Sequence, residues 1–427
     1  MEILSDIENS KVRPSKKLLK EISGNIKDKL KGDLKIFSNV KTKSDYILLD
    51  EQLVVYDTVM SIIKKGLADK QKYAIIVKGG AGTGKSVIAL QLLADLAAVG
   101  KNAHYATGSK SFTQTLRKIV GSNSSSIFKY FMSYGFVEPN SLDVLIMDEA
   151  HRIREKTGFP HKSTGREQVV DLMRAAKVSV FFIDDYQGVR AGEIGQSDYI
   201  RDRAEQMNYK VFDYELEGQF RCGGTEGYIN WIDNTLKIKR TPNVLWKNDE
   251  QFEFRIMNSP EELEEAIREK QSEGYSARMM AGFCWPWSNK TDENGELIDD
   301  VQIGDFKRPW NARENLKGLS RRIPKSQFWA YDPNGIDQIG CIYTAQGFEF
   351  DYAGVIFGTD LVYNPETGKW EGHPENSHDT QVKKSKENFT KLVKQTYRVL
   401  LTRGIKGCYV YFMDKETEKF FRSRMER

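Results

Sequence analysis

Between about residues 46 and 213 the chain alternates short apolar runs with longer stretches of helical spacing. The runs are "YAIIV" (73–77), "AHYA" (103–106), "DVLIM" (143–147), "VSVFFI" (178–183) and "VFDYEL" (211–216). Strands this continuously apolar have to be covered on both faces, which predicts a parallel sheet with helices above and below it. A second alternation begins at about 214, with "FEFRIM" (252–257), "RMMAGFC" (278–284), "IGCIY" (339–343), "AGVIFG" (353–358) and "CYVYFM" (408–413). The expected class is therefore α/β, with one parallel-sheet domain following another. Ser259, Pro260 and Glu262 form a helix start, opening a helix across "EELEEAIREK". Ahead of the first domain, residues 1–45 are lysine-rich, and Leu18, Ile22, Ile26 and Leu30 recur at helical spacing. That stripe predicts a helix docked on the main body rather than a nucleic-acid arm. The polar stretches 288–326 and 360–386 read as excursions from the second sheet.

Composition narrows the classes without choosing among them. A chain of 427 residues, 39% hydrophobic and 11% aromatic, has enough apolar material for buried cores. Lysine and arginine number 64 against 60 aspartates and glutamates, for a net charge of +4, so any nucleic-acid surface has to be a local patch rather than bulk attraction. Cys222, Cys284, Cys341 and Cys408 lie far apart with no C-x-x-C pair, which argues against a zinc ribbon, a dithiol redox site or a disulfide framework. No apolar run is long enough to span a bilayer and no signal-peptide pattern is evident, so a soluble cytoplasmic protein without a membrane partner is expected.

"GGAGTGKS" (79–86) directly follows the strand "YAIIV" and precedes the apolar helix "VIALQLLADLAAV". Strand, glycine loop and helix in that order make a phosphate cradle. Gly79, Gly80, Ala81, Gly82, Thr83 and Gly84 would turn backbone N–H groups onto the phosphates; Lys85 would neutralise the β and γ oxygens, and the Ser86 hydroxyl would ligate Mg²⁺. Asp148 and Glu149 close the strand "DVLIM", where adjacent carboxylates can face the crevice that holds the phosphates. Asp148 would hold Mg²⁺ through water, and Glu149 would orient and deprotonate the attacking water. In "FIDDYQG" (182–188), Gln187 is a neutral amide suited to sensing the γ-phosphate or its water. A ligand-free glycine turn, a solvated Asp-Glu edge and an ordinary loop glutamine are the bland alternatives. Each loses ground because the three occur together, in order, at strand ends.

"LIMDEAHRI" (145–153) spells the signature of DEAH-box helicases, but the Ser-Ala-Thr triplet and the arginine-glycine repeat of that class are missing, so His151 carries no expected chemistry. The chain has instead "ELEGQFRCGG" (215–224), "YTAQGFEFDYAGVI" (343–356) and "YRVLLTRG" (397–404), which with "DDYQ" resemble superfamily 1 helicases. More closely, "GFCWPWS", "YTAQGFEFD" and "YRVLLTRGIKGCYVYF" resemble the family that includes the helicase-like C-terminal region of Schlafen proteins and its bacterial relatives, over about residues 46–415. The resemblance implies two tandem RecA-like parallel-sheet domains, 46–213 and 214–427, behind the helical segment 1–45, with ATP in the cleft between them. It further implies that Gln52 reads the adenine edge, Phe220 stacks on the base, Glu349 touches the ribose and Thr344 a nucleic-acid phosphate. Arg221 and Arg403 become arginine fingers. A guanidinium that keeps its charge suits the spread charge of a phosphoryl transition state, and Arg403 stands alone among small and apolar neighbours in "VLLTRG".

The expected function is an ATP-dependent helicase or translocase acting on single-stranded DNA or RNA, with ATP and Mg²⁺ as cofactors. Thr107, Ser109 and Lys110 are candidates for phosphate contacts, and Trp285, Trp287, Trp310 and Trp329 for base stacking, although core packing is the commoner fate of a tryptophan. The intervals Lys85 to Asp148 and Arg221 to Thr344 leave little room for the accessory domains of processive members, so remodelling is as fitting as unwinding. Residues 1–45 are too short for a nuclease domain, which makes a partner nuclease or defence-system protein the corresponding expectation. The competing class is an ATP-gated binding module for nucleic acid or protein, in which hydrolysis only resets the grip. A small-molecule phosphoryl transferase fits less well with Glu149 and a second domain carrying arginines.

Overall fold

The computed structural model describes residues 20–27, 50–80, 82–121, 125–159, 162–190, 192–216, 226–248 and 251–426. The chain divides into two compact units. In the first, residues 20–27 form helix α1. There follow α2 (Asp50–Ala68), β1 (Tyr73–Gly79), α3 (Lys85–Ala98), β2 (Ala103–Thr107), α4 (Lys110–Val120), β3 (Phe128–Tyr130) and β4 (Leu142–Asp148). The hairpin β5 (Lys156–Phe159) and β6 (Lys162–Glu167) leads into α5 (Gln168–Ala175), β7 (Ala176–Ile183), α6 (Ser197–Gln206) and β8 (Lys210–Leu216).

Six of these strands make one sheet in the order β3-β2-β4-β7-β1-β8, every pair parallel. Its middle is buried on both faces, Ala74 to Val77, Val144 to Met147 and Val180 to Ile183 being fully covered, as the apolar runs require. Thr107 pairs with Asp148, Met147 with Phe181 and Lys78 with Ile183, so four strands end along one edge. β8 pairs with β1 through Leu216, so a boundary between residues 213 and 214 would cut this strand; the first unit continues past it. Of the N-terminal stripe, Ile22 and Ile26 are buried; Leu18 and Leu30 lie outside the described residues.

The second unit contains α7 (Glu226–Thr235), β9 (Glu253–Met257), α8 (Pro260–Ser272), β10 (Ala277–Ala281), the ribbon β11 (Val301–Ile303) and β12 (Phe306–Arg308), and α9 (Ile342–Ala345). After these come β13 (Phe350–Phe357), the ribbon β14 (Leu361–Asn364) and β15 (Lys369–Gly372), α10 (Thr380–Lys383), α11 (Phe389–Leu401), β16 (Gly404–Phe412) and α12 (Lys415–Ser423). Its parallel sheet runs β10-β13-β16-β9. Ser259 caps α8 by accepting from the Glu262 N–H, with Pro260 in the first turn. "IGCIY" departs from expectation. Ile339 and Gly340 make only isolated bridges to Trp310 and Met280, and Cys341 then opens the helical turn α9. The two polar excursions are built around the ribbons β11–β12 and β14–β15. Val189 and Arg190, just beyond the Gln187 motif, belong to the second unit: Val189 joins its core, and the Arg190 guanidinium lies 3.9 Å from the centroid of the Tyr343 ring. Among the described residues no helix is long and apolar enough to cross a membrane.

Candidate nucleotide-binding site

The glycine loop leaves the C-terminal end of β1 in the middle of the sheet. Gly82 and Gly84 adopt φ of 86° and 83°, left-handed conformations that a side chain would strain, and this turns the chain sharply into α3. Thr83 is fully buried and donates from its hydroxyl to the Gly80 carbonyl, bracing the turn from inside. Lys85 folds back over the loop, its ammonium donating to the carbonyls of Gly79 (2.8 Å) and Gly80 (2.6 Å). Both are bonds to neutral oxygens, so an anionic phosphate entering the loop can compete for the same ammonium.

At the second residue of α3, the Ser86 hydroxyl donates to Asp148 Oδ2 at 2.6 Å. The same oxygen accepts the Tyr105 hydroxyl from β2, the neighbouring strand, and Asp148 Oδ1 accepts the Glu149 N–H at 2.9 Å. Burial pushes the Asp148 carboxyl above its ordinary value, with the Glu149 charge adding to the push. The bonds from Ser86, Tyr105 and the Glu149 backbone oppose it. Burial and the Asp148 charge drive the Tyr105 phenol well up, which keeps it a donor. A hydroxyl and a carboxylate at this separation suit a hard cation. Among the described residues no group of three or more His, Cys, Asp or Glu side chains could hold one alone. The remaining ligands of a Mg²⁺ ion here would be phosphate and water oxygens, its ordinary way of binding.

Glu149 follows with φ of 56°, an unusual conformation for a side-chain-bearing residue and one that turns its carboxylate out of the strand direction. Glu149 Oε2 lies 3.0 Å from His151 Nε2 and 3.8 Å from Arg152 Nε. His151, to which the sequence assigned no chemistry, is thus in contact with the candidate base. At the end of β7, between β4 and β1 in the sheet, Gln187 is 3% exposed and donates from Nε2 to Asp184 Oδ2 at 2.8 Å. Gln52, on α2, is 1% exposed and donates to the Thr83 carbonyl at 3.2 Å, its amide lying against Gly84.

Lys85, Ser86, Asp148, Glu149, Gln187 and Gln52 therefore all belong to the C-terminal edge of one sheet or the helix packed against its loop. Tyr105, His151, Arg152 and Asp184 join them and escaped the sequence reading. Ala81, Phe220 and Arg221 lie outside the described residues. In the second unit Arg403 is 1% exposed and donates to the carbonyls of Val399 (3.0 Å) and Phe348 (3.2 Å). The Thr344 hydroxyl is buried, bonded to Asn311 and to the Cys341 backbone. Glu349, five residues further along the chain, is half-buried. Trp285, Trp310 and Trp329 are core residues, each with its indole N–H on a backbone carbonyl, and half-buried Trp287 carries Arg313 over its ring.

Comparison with known proteins adds a family to this geometry. Residues 72–414 match the family described as Schlafen group 3, DNA/RNA helicase domain. An uncharacterized protein of Saccharomyces cerevisiae, YPL245W, is 28% identical, the match covering 87% of this chain and 90% of that protein. Among solved structures, the Pif1 helicase of Candida albicans matches at 13% identity over 88% of this chain and 99% of that one, with a TM-score of 0.35. A DNA replication initiation factor matches at 17% identity over 45% of this chain, with a TM-score of 0.25; this chain spans 53% of its length.

Proposed function

Because the chain belongs to the Schlafen group 3 DNA/RNA helicase-domain family, we propose that it hydrolyses ATP to move along, or remodel, single-stranded DNA or RNA. The observation that carries this reading is the Ser86–Asp148 pair, 2.6 Å apart beside the loop that holds Lys85. Hydrolysis needs charge neutralisation, a base and a positioned water. With ATP in the loop, Lys85 exchanges the Gly79 and Gly80 carbonyls for β and γ oxygens. Ser86 and Asp148 would hold Mg²⁺, which would supply the remaining positive charge. Glu149 accepts a proton from the water whose oxygen attacks the γ-phosphorus as the bond to the β-bridging oxygen breaks and ADP leaves. Gln187 orients that water, for which its amide has to turn from Asp184.

Gln52 reads the adenine edge in this proposal, Phe220 stacks on the base and Glu349 meets the ribose. Arg221 and Arg403 supply finger charge from the second unit, Arg403 by giving up its bonds to Val399 and Phe348. A nuclease or defence-system partner and a cytoplasmic setting belong to the same reading. The test is the rate of ATP hydrolysis with and without single-stranded DNA and RNA. Nucleic acid should stimulate it, and Lys85→Ala and Glu149→Gln should each lower it by about 100-fold or more. Arg403→Ala should fall by a similar factor if it is a finger. No stimulation by any nucleic acid would end the proposal. Stimulation without strand displacement or directional movement would favour an ATP-gated binding module.

A further inference from the structure

We propose that Tyr56 and Asp95 form a strut that positions Gln52 over the phosphate loop, and that Lys27 ties this strut to α1, so that preference for adenine over guanine depends on residues 20–27. The proposal rests on the reading of Gln52 as the adenine-edge residue, and adds how that residue is held.

Gln52 and Tyr56 are four residues apart on α2, and so lie on one face about 6 Å apart along the axis. Gln52 is pressed against the loop so closely that a Cβ on Gly84 would fall 2.2 Å from its amide nitrogen. Its neighbours Leu53 and Val54 are 43% and 63% exposed, while Gln52 itself, Val55 and Val59 are buried. Tyr56 adds a directional hold to this packing, donating its hydroxyl to Asp95 Oδ2 at 2.6 Å.

Asp95, near the far end of α3, is where three elements meet. Oδ2 also accepts from Gln91 at 2.7 Å, and Oδ1 pairs with the Lys27 ammonium at 2.6 Å. Burial alone would raise the Asp95 carboxyl, but the bonds from Lys27, Tyr56 and Gln91 hold it below its ordinary value. Burial and the Asp95 charge raise the Tyr56 phenol, so the hydroxyl remains a donor. Helix α1 is seated beside this carboxylate: Ser23 donates to the Ala94 carbonyl at 2.8 Å, Asn25 to that of Val120 at 3.1 Å, and Ile22 and Ile26 are buried. Since α3 begins at the phosphate loop, a strut from α3 to α2 fixes the amide of Gln52 relative to the base of any nucleotide in that loop. Direction is what distinguishes two purine edges, because adenine and guanine reverse donor and acceptor at corresponding positions.

The experiment compares KM and kcat for ATP and for GTP in Gln52→Ala, Tyr56→Phe, Lys27→Ala and the Gln52→Ala/Tyr56→Phe double variant, with thermal melts of each. Gln52→Ala should raise KM for ATP about tenfold and leave GTP unchanged. Tyr56→Phe should raise it about fivefold, with kcat within about twofold of the parent. Lys27→Ala should act in the same direction by about twofold, because its pair with Asp95 is partly solvated. The double variant should match Gln52→Ala alone. Equal changes for ATP and GTP in Tyr56→Phe, or no change while Gln52→Ala loses discrimination, would overturn the strut. No loss of discrimination in Gln52→Ala would instead remove the adenine reading itself, and the strut with it.

Discussion

Each of the two sheets places an aspartate near the end of a central strand, and each aspartate accepts a tyrosine hydroxyl. Asp148 takes Tyr105 in the first unit, and Asp360 takes Tyr397 in the second. Burial raises both carboxyls, Asp360 to about 6. The surroundings then diverge. Beside Asp148 the glycines serve backbone conformation, with Gly82 and Gly84 at positive φ, and the polar neighbours Lys85 and Ser86 hold bonds that a phosphate or a cation can replace. Beside Asp360 the glycines serve close packing: a Cβ on Gly282 would fall 1.9 Å from the Tyr397 hydroxyl, and one on Gly358 would fall 2.3 Å from Cys284 Sγ. The Tyr397 ring also stacks on Phe357, centroids 3.7 Å apart, so this edge is filled by the protein itself. A parallel sheet offers a crevice at its strand ends in either case. Whether a ligand can use it depends on what the glycines there are for.

The largest effect that separates the two aspartates is on turnover. Asp148→Asn should cut ATP hydrolysis by about 100-fold or more while the protein stays folded, because an amide cannot carry the charge that holds a cation. Asp360→Asn should leave hydrolysis within about twofold. Equal losses in both would show that Asp148 acts through stability alone. The glycines should divide the same way, with smaller effects. Gly282→Ala forces a methyl against Tyr397 and should destabilise the protein by about 2 kcal/mol, read as a drop in melting temperature. Gly84→Ala strains a φ of 83° and pushes on Gln52, so it should weaken ATP binding about tenfold, measured by titration, with less effect on melting. If Gly84→Ala lowered only the melting temperature, the loop glycine would be a packing residue like Gly282.

The first edge was far more legible than the second. Its strands announce themselves because both faces are buried, leaving apolar runs with a motif at each end. "IGCIY" was misread for the same reason: Ile339, Cys341 and Ile342 are buried whether the backbone is extended or helical. The decisive sign is small, Thr344 accepting from the Cys341 N–H to close a helical turn. Tyr105 lay inside an apolar run and looked like core; only the β2–β4 register, Thr107 opposite Asp148, brings its hydroxyl to the carboxylate. His151 meets Glu149 because Glu149 adopts a left-handed φ, which no residue pattern signals. The Tyr56–Asp95 bond joins residues 39 apart on separate helices, beyond the reach of helical periodicity. The tryptophans read more simply. Three of the four candidates fill core positions, as large aromatic rings usually do.

The smallest effect tests the filled edge directly, through pH. Asp360 is held at about 6 against an ordinary 3.8, chiefly by burial, although Tyr397 and Cys284 oppose the rise. A carboxyl raised on folding binds its proton more tightly in the native state, so its contribution to stability is complete below the ordinary value and is lost as pH climbs through the folded value. By neutral pH the buried charge disfavours folding by something on the order of 3 kcal/mol. Asp360→Asn removes that charge and keeps an oxygen to accept from Tyr397, though as a weaker neutral bond. The variant should therefore melt higher than the parent at about pH 8, by roughly 1 kcal/mol of net stability, and the advantage should shrink to nothing or reverse by about pH 4.5. A difference independent of pH would mean that Asp360 does not titrate in the window.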